Sequence, residues 1–323
     1  MMKSLLFQIL LFMAALFLTG CEEIVNLDHL RPDPKIVINC LPETGSPVKA
    51  SLSRTWFYSD PRPDVQAMDF QVNLYVNGTW HETLQPTDDT SDKLRKKYAG
   101  TYSPLVGDEL RIVAETAGFK SAEGTTRIPE MPTLLDFERI VKIDTLQYED
   151  VEHYIQGDIN YKMKIQDKEK EQNYFMVRIE ESLEEEWIPV TLDFIKEPIF
   201  SAQLSAFDKI MGYDYLDGYE RAFTDDLFKD SEYTLQLKLL WGQKGDNGRS
   251  VLSHLSYEYY QYWYTLQARE NNFNADLVNA GLGEPIRVYS NIKGGLGIMA
   301  GRSSVALTSN KQNTVIQKEK KKM

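Results

Sequence analysis

Few residues in this chain have the types and spacing for chemistry. Residues 289–301 read YSNIKGGLGIMAG, with four glycines in eight positions: Gly294, Gly295, Gly297 and Gly301. A phosphate-cradling loop needs a strand before its glycines and a helix after them, because the helix N-terminus binds the anion. Here the glycines run into Ile298, Met299 and Ala300 and then RSSVALTS, which is strand or turn chemistry. The Lys-Ser/Thr pair of a Walker loop is missing, as is the later acidic residue of a dinucleotide fold. The stretch therefore predicts a strand with a bulge or a close backbone approach, and no nucleotide.

The histidines, His29, His81, His153 and His254, have no metal-ligand spacing and no HExxH or CxxC company. The chain has no GxSxG elbow, although a triad built otherwise is recognised only by geometry. Glu180, Glu181, Glu184, Glu185 and Glu186 form one acidic cluster; Asp214, Asp217, Asp225 and Asp226 form another. A glycosidase needs two carboxylates flanking a sugar, at a separation that sequence does not give. The plainer reading is solvated acidic faces and turns. The stretch DYLDGYERAFTDD has oxygens for calcium but lacks the spacing of a calcium loop. No catalytic residue, metal ligand or cofactor is assigned. Tyr257, Tyr260 and Tyr264 are the best binding candidates, because tyrosine gives a large rigid contact area at low entropic cost. The plainer reading is burial against the other domain or the long insertion.

The N-terminus says where such a surface would work. Lys3 is followed by an apolar run, Leu5 to Leu18, that only Gln8 interrupts, and then by Leu18-Thr19-Gly20-Cys21. A run this short before small residues reads as a secretory signal peptide, residues 1–20, and not as a membrane span. The cysteine after the small pair resembles the lipobox of bacterial lipoproteins. That resemblance makes Cys21 the mature, lipidated N-terminus, and its acyl chains suffice for stable membrane attachment. Glu22 and Glu23 resemble the export signal that sends lipoproteins of the Bacteroidota to the outer face of the outer membrane. With Cys21 lipidated, Cys40 is left without an internal partner, in the strand-like run KIVINC, and reads as a buried, inert thiol. Net charge is −12, and loss of Lys3 with the signal peptide takes the mature chain to −13. Such a balance argues against nucleic acid as a partner.

The elements that must position these residues are mostly strands. The 323 residues are 42% apolar and 26% charged, a globular composition that leans towards two domains. Residues 21–34 read as a lipidated tether closed by Pro32 and Pro34. Lys35–Cys40 is a β-branched run, and Val48/Ala50/Leu52, Val72/Leu74/Val76 and Leu110/Ile112/Ala114 alternate with polar residues. Asn77-Gly78 reads as a hairpin turn and 88–97 as a polar surface loop. These features predict an antiparallel, immunoglobulin-like β-sandwich over 35–128. The linker IPEMPT leads to a second β-sandwich over 134–310. Its strands show in Ile159/Tyr161/Met163/Ile165, Phe175/Val177/Ile179 and Leu235/Leu237/Leu239. Residues 182–230 read as a long insertion and 311–323 as a basic, solvated tail. A Tyr-rich helix is expected over about 253–272. Leu255, Tyr259, Tyr262, Trp263 and Leu266 lie on one side of it, with Tyr257, Tyr260 and Tyr264 opposite. Asn77-Gly78-Thr79 matches an N-glycosylation pattern that the turn explains, and Asp144-Thr145-Leu146 resembles the O-glycosylation sequon of Bacteroidota.

SNIKGGLGIMAG, the Tyr-rich helix before it, and the CEE…PKIVINC start after a lipobox together resemble the DUF4249 family of Bacteroidota lipoproteins. The resemblance covers essentially the whole mature chain. It implies an outer-membrane lipoprotein, often encoded beside TonB-dependent receptors, and carries over no catalytic or binding residue. The expected function is a lipid-anchored binding or accessory protein working with a TonB-dependent transporter. A surface hydrolase of glycan or peptide and a structural or adhesive subunit are the alternatives.

Overall fold

The computed structural model describes residues 28–148, 151–155, 158–168, 171–201, 217–241, 245–270, 287–309 and 312–319. Residues 1–20, which the sequence pattern reads as a signal peptide, lie outside the described residues, as do Cys21, Glu22 and Glu23. In chain order the first strands are β1 (Ile36–Cys40), β2 (Lys49–Arg54), β3 (Gln71–Val76), β4 (Thr79–Thr83), β5 (Gln85–Pro86), β6 (Lys96–Ala99), β7 (Glu109–Glu115) and β8 (Ala122–Arg127). There follow β9 (Thr133–Tyr148), β10 (Val151–Ile155), β11 (Ile159–Gln166), β12 (Tyr174–Leu183), β13 (Glu186–Pro189) and β14 (Thr191–Asp193). Next come a one-turn helix α1 (Pro198–Ser201), β15 (Asp217–Gly218), β16 (Glu220–Thr224), β17 (Glu232–Trp241) and β18 (Gly248–Leu255). The chain closes with α2 (Tyr257–Glu270), β19 (Leu296–Met299), β20 (Arg302–Thr308) and β21 (Gln312–Glu319).

The fold is mainly β, as its alternating patterns predict. Val72, Leu74, Leu110, Ile112 and Ala114 are fully buried on one face of their strands, and their polar neighbours are not. Sheet β4-β3-β7-β8 packs on sheet β19-β1-β2-β6-β5 over a core that includes Ile36, Leu52, Leu74, Tyr98 and Ile112. Asn77 and Gly78 both take positive φ, +51° and +81°, as a type I′ hairpin requires. Cys40 is buried in this core, and burial pushes its thiol up to about 12. The polar loop ends earlier than expected: Lys96 and Lys97 start β6, where Tyr98 anchors the strand from the inside.

In the second sandwich, β10-β9-β11-β17-β14-β15 faces β13-β12-β18-β20. Met163, Val177, Phe194, Phe200, Phe223 and Leu235 fill the space between them. Residues 182–230 are therefore not an added insertion where they are described. β14 and β15 extend one sheet, and β13 and β16 both pair with β12 in the other. The aromatics of this region, Phe194, Phe200, Phe223 and Phe228, are core residues. The basic tail is corrected too. Residues 312–319 form β21, parallel to β9, because backbone pairing tolerates a polar sequence at a sheet margin.

The acidic cluster of β12 is not a solvated face. Glu181 is 1% exposed and Arg139 of β9 is 4% exposed, and they form a bidentate pair across the core. Arg139 Nε donates to Oε1 and Nη2 to Oε2, each at 2.9 Å. Tyr161 Oη at 2.7 Å and the Gly245 amide at 3.0 Å also donate to Glu181. Glu180 receives Arg178 Nε at 2.9 Å and Arg249 Nε at 2.8 Å. Glu184 and Glu185 sit in the exposed turn between β12 and β13 with positive φ.

The glycine stretch joins the two bodies. β19 leaves the second half of the chain and pairs parallel with β1, Val37 opposite Leu296 and Cys40 opposite Met299. Residues 291–301 thus belong to the first sandwich and not, as the pattern suggested, to the second. Gly294 has φ +73°, and a Cβ there would lie 2.2 Å from the Ser121 carbonyl oxygen. Gly297 has φ +108°, and its Cβ would lie 2.0 Å from the Ile38 carbonyl oxygen. The expectation of a close backbone approach describes what is found. β20 then crosses back to pair with β18.

Gly297→Ala is expected to cost at least about 3 kcal/mol, because it adds both a clash and a disfavoured φ. Gly118→Ala, at φ +81° with open space around it, should cost only about 1 kcal/mol. Urea denaturation of the two variants checks the difference. Glu181→Ala is expected to cost about 3–5 kcal/mol by stranding Arg139. The Arg139→Met/Glu181→Leu pair should restore most of that loss in the same assay.

Candidate functional site

The helix starts later than its pattern suggests. Ser253–Leu255 complete β18, and Ser256 caps α2, its Oγ accepting from the Tyr259 amide at 3.3 Å. The cap is tied to the first sandwich. The Ser256 amide donates to Gly301 O at 2.9 Å, and Thr126 Oγ1 donates to Ser256 Oγ at 3.4 Å. Glu258 in the first turn and Arg269 in the last complement the helix dipole.

Tyr259 and Trp263, one turn apart, point into the junction. They pack with Met176 of β12, Ala222 of β16, Leu255 of β18, and Ile298 and Ala300 of the return segment. Helical spacing then places Tyr257, Tyr260 and Tyr264 along the adjacent stripe. The structure brings these three together with two tyrosines that the sequence reading missed. Tyr174, at the start of β12, lies 4.8 Å from Tyr260 and 5.7 Å from Tyr257, ring centre to ring centre. Tyr260 and Tyr264 stack at 6.2 Å, and Tyr289 meets Tyr257 at 6.5 Å. Thr265 Oγ1 holds the Tyr289 amide at 2.8 Å. Tyr257 is 50% exposed and Tyr264 47%, whereas Tyr260 is half-buried and its hydroxyl is pushed up to about 12 by that burial. Neither role expected for the trio wins outright: Tyr260 is an inter-element contact, and Tyr257 and Tyr264 face solvent.

Arg221 of β16 is the unusual member of the site. Its guanidinium lies 5.6 Å from the Trp263 ring centre, and burial depresses its pKa. Its Nε is buried with no hydrogen-bond partner. Among the described residues no carboxylate lies within ion-pair distance of it. The contrast with Arg139, Arg178, Arg249 and Arg302 is plain, since each of those meets a glutamate. Arg221 as a whole is only partly buried, and a partly buried cation without an anion is a place where an anionic group from outside the described structure would be favoured. Exposed tyrosine faces beside such a cation suit a ligand that has an anionic group and a flat or apolar face. Sequence offered no signal for Arg221, because an arginine in a strand pattern is ordinary until its partners are known.

The other sequence candidates are structural. Asp225 is fully buried and accepts the Asn173 amide at 2.9 Å and Gln172 Nε2 at 2.8 Å. Burial pushes its carboxyl up, and nearby Asp167 adds to the effect. It locks two loops together. The side chains of Asp214 and Asp217 lie outside the described residues. His254 stacks on Phe175 at 5.1 Å and bonds the Glu130 carbonyl at 2.9 Å through Nδ1. Asp144-Thr145-Leu146 lies within β9, paired on one side to β10 and on the other to β21.

Arg221→Met is expected to be neutral or to stabilise the fold by up to about 1 kcal/mol, since it removes a partly buried charge that meets no carboxylate among the described residues. Urea denaturation checks this. A loss above about 1 kcal/mol would mean that the guanidinium is kept to brace Trp263 and not to meet a ligand.

No curated protein matches the chain. The family described as "Domain of unknown function (DUF4249)" matches residues 22–307, which run from ahead of β1 into β20 and take in α2 and the return strand β19, leaving out β21. With that span matched, the chain belongs to the DUF4249 family.

Proposed function

We propose that this protein is a lipid-anchored outer-membrane lipoprotein that binds a ligand or partner through its tyrosine surface, in service of a TonB-dependent transporter. The observation that carries the binding role is the tyrosine cluster with exposed Tyr257 and Tyr264, next to Arg221, whose Nε is buried without a hydrogen-bond partner. Such a surface is rich in the residue types that dominate recognition sites. Support for the anchor comes from the lipobox-like Leu18-Thr19-Gly20-Cys21, and support for surface display from Glu22 and Glu23. The transporter partnership rests on what the family resemblance implies. A hydrolytic role has little to draw on, because Glu180, Glu181 and Asp225 are buried in structural hydrogen bonds.

Mass spectrometry of the mature N-terminus should find acyl chains on Cys21. Crosslinking in native outer membranes, followed by pull-down, should recover a β-barrel receptor in stoichiometric amount, and Tyr257→Ser/Tyr264→Ser should reduce its yield. Recovery of the acylated protein alone would remove the transporter partnership and leave only the anchor.

A further inference from the structure

The described chain starts with a single 3₁₀ turn, Asp28–Leu30, and passes through Arg31 to β1. Arg31 ties this entry to the loop between β2 and β3. Its Nη1 donates to both carboxylate oxygens of Asp60, at 2.7 and 2.6 Å, and its guanidinium lies 4.8 Å from the Phe57 ring centre. The join continues in the backbone. The Thr55 amide donates to Lys35 O at 2.9 Å, and the Lys35 amide donates to Thr55 Oγ1 at 2.9 Å. The loop held in this way reads TWFYSDPRP. Phe57 and Tyr58 rings meet at 4.7 Å, yet Tyr58 is 68% exposed, Trp56 40% and Leu30, next to Arg31, 61%. Pro32, Pro34, Pro61 and Pro63 stiffen both segments. A braced loop that keeps its large side chains in water is presenting them to something.

We propose that Leu30, Trp56, Phe57 and Tyr58 form a membrane-interface patch that seats the first sandwich on the bilayer holding the Cys21 anchor. The inference rests on the acylation reading given above. Seven residue steps separate Cys21 from Asp28, and a fully extended chain of that length spans only about 25 Å. A sandwich of about a hundred residues has a radius of gyration near 13 Å, so its diameter exceeds the tether. The face where the chain enters is therefore kept within reach of the lipid headgroups, and the aromatic loop is fastened to that entry by Arg31. Tryptophan and tyrosine, each with an apolar body and a polar tip, settle at headgroup level. Lys35, Arg54 and Arg62 in the same two segments are offset by Asp28, Asp33 and Asp64, so the apolar and aromatic side chains carry the attraction.

The test uses the full-length mature chain carrying Cys21→Ser, so that no acyl group contributes to binding. Its partition onto vesicles of phosphatidylethanolamine and phosphatidylglycerol in equal parts is measured by cosedimentation. Leu30→Ser/Trp56→Ser/Tyr58→Ser should lower the partition coefficient by at least about tenfold. Trp80→Ser, which removes an equally exposed aromatic from β4, should leave it unchanged, and Trp56→Phe/Tyr58→Phe should retain most of it. Circular dichroism establishes that each variant is folded. Equal partition of the parent and the triple variant would overturn the proposal. So would a photocrosslinker at position 58 that captures a protein and no lipid in native membranes. Absence of acyl chains on Cys21 is read separately by mass spectrometry and would defeat the anchor without deciding the patch.

Discussion

Backbone has to pass within contact distance of backbone where residues 294–301 run beside β1 and β8, and the two-body architecture depends on that passage. A side chain at Gly294 or Gly297 would occupy the space of a carbonyl oxygen from the neighbouring chain segment. Once the passage is made, a set of polar contacts fixes it. Asn291 bonds both the amide and the carbonyl of Met299, at 2.9 and 2.7 Å. Thr126 Oγ1 receives the Gly301 amide at 2.9 Å, and Glu43 receives Arg302 Nη2 at 2.7 Å. These bonds come from both sandwiches, and the capped start of α2 sits among them. The tyrosine surface is positioned by the same junction, because Tyr259 and Trp263 need Ile298 and Ala300 to pack against. Glycine spacing is thus linked through packing to the exposure of Tyr257 and Tyr264.

Charge is handled in two ways in the second sandwich. Glu180 and Glu181, neighbours on β12, are each matched by arginines. The Arg139–Glu181 pair also holds elements together, since it spans the two sheets. Such pairs add little net stability over a well-packed apolar core, but losing one partner is expensive, which favours a single arrangement of the sheets. Arg221 departs from this rule. Sites that break a local rule without a local gain are where function is to be sought.

Period-two patterns revealed most of this fold in the sequence. Ile159, Tyr161, Met163 and Ile165 are buried as their alternation requires, and Asn77-Gly78 turns as its residue types require. What escaped was everything set by long-range pairing. Nothing local says that Leu296–Met299 belongs beside β1, or that Gln312–Glu319 belongs beside β9, because parallel partners leave no turn signal. The region 182–230 looked like an insertion because its strands are short and its aromatics irregularly spaced. Three of the site's tyrosines were legible from helical spacing, and Tyr174 and Tyr289 were not, because they come from other elements. The carboxylates of β12 read as solvent-facing because Arg139 lies 42 residues from Glu181 and Arg249 lies 69 residues from Glu180.

The pairing of β19 with β1 also sets an order of events. A chain that is made from its N-terminus offers β1 long before residues 296–299 arrive. Until then one edge of β1 has unpaired amides and carbonyls, and the core beside it lacks Met299 and Ile292. The first sandwich therefore cannot be completed until residues 296–299 have been made. Such a delay leaves a strand edge open to other chains while synthesis continues. It also gives two copies of the chain, crowded at that moment, a way to exchange their return strands.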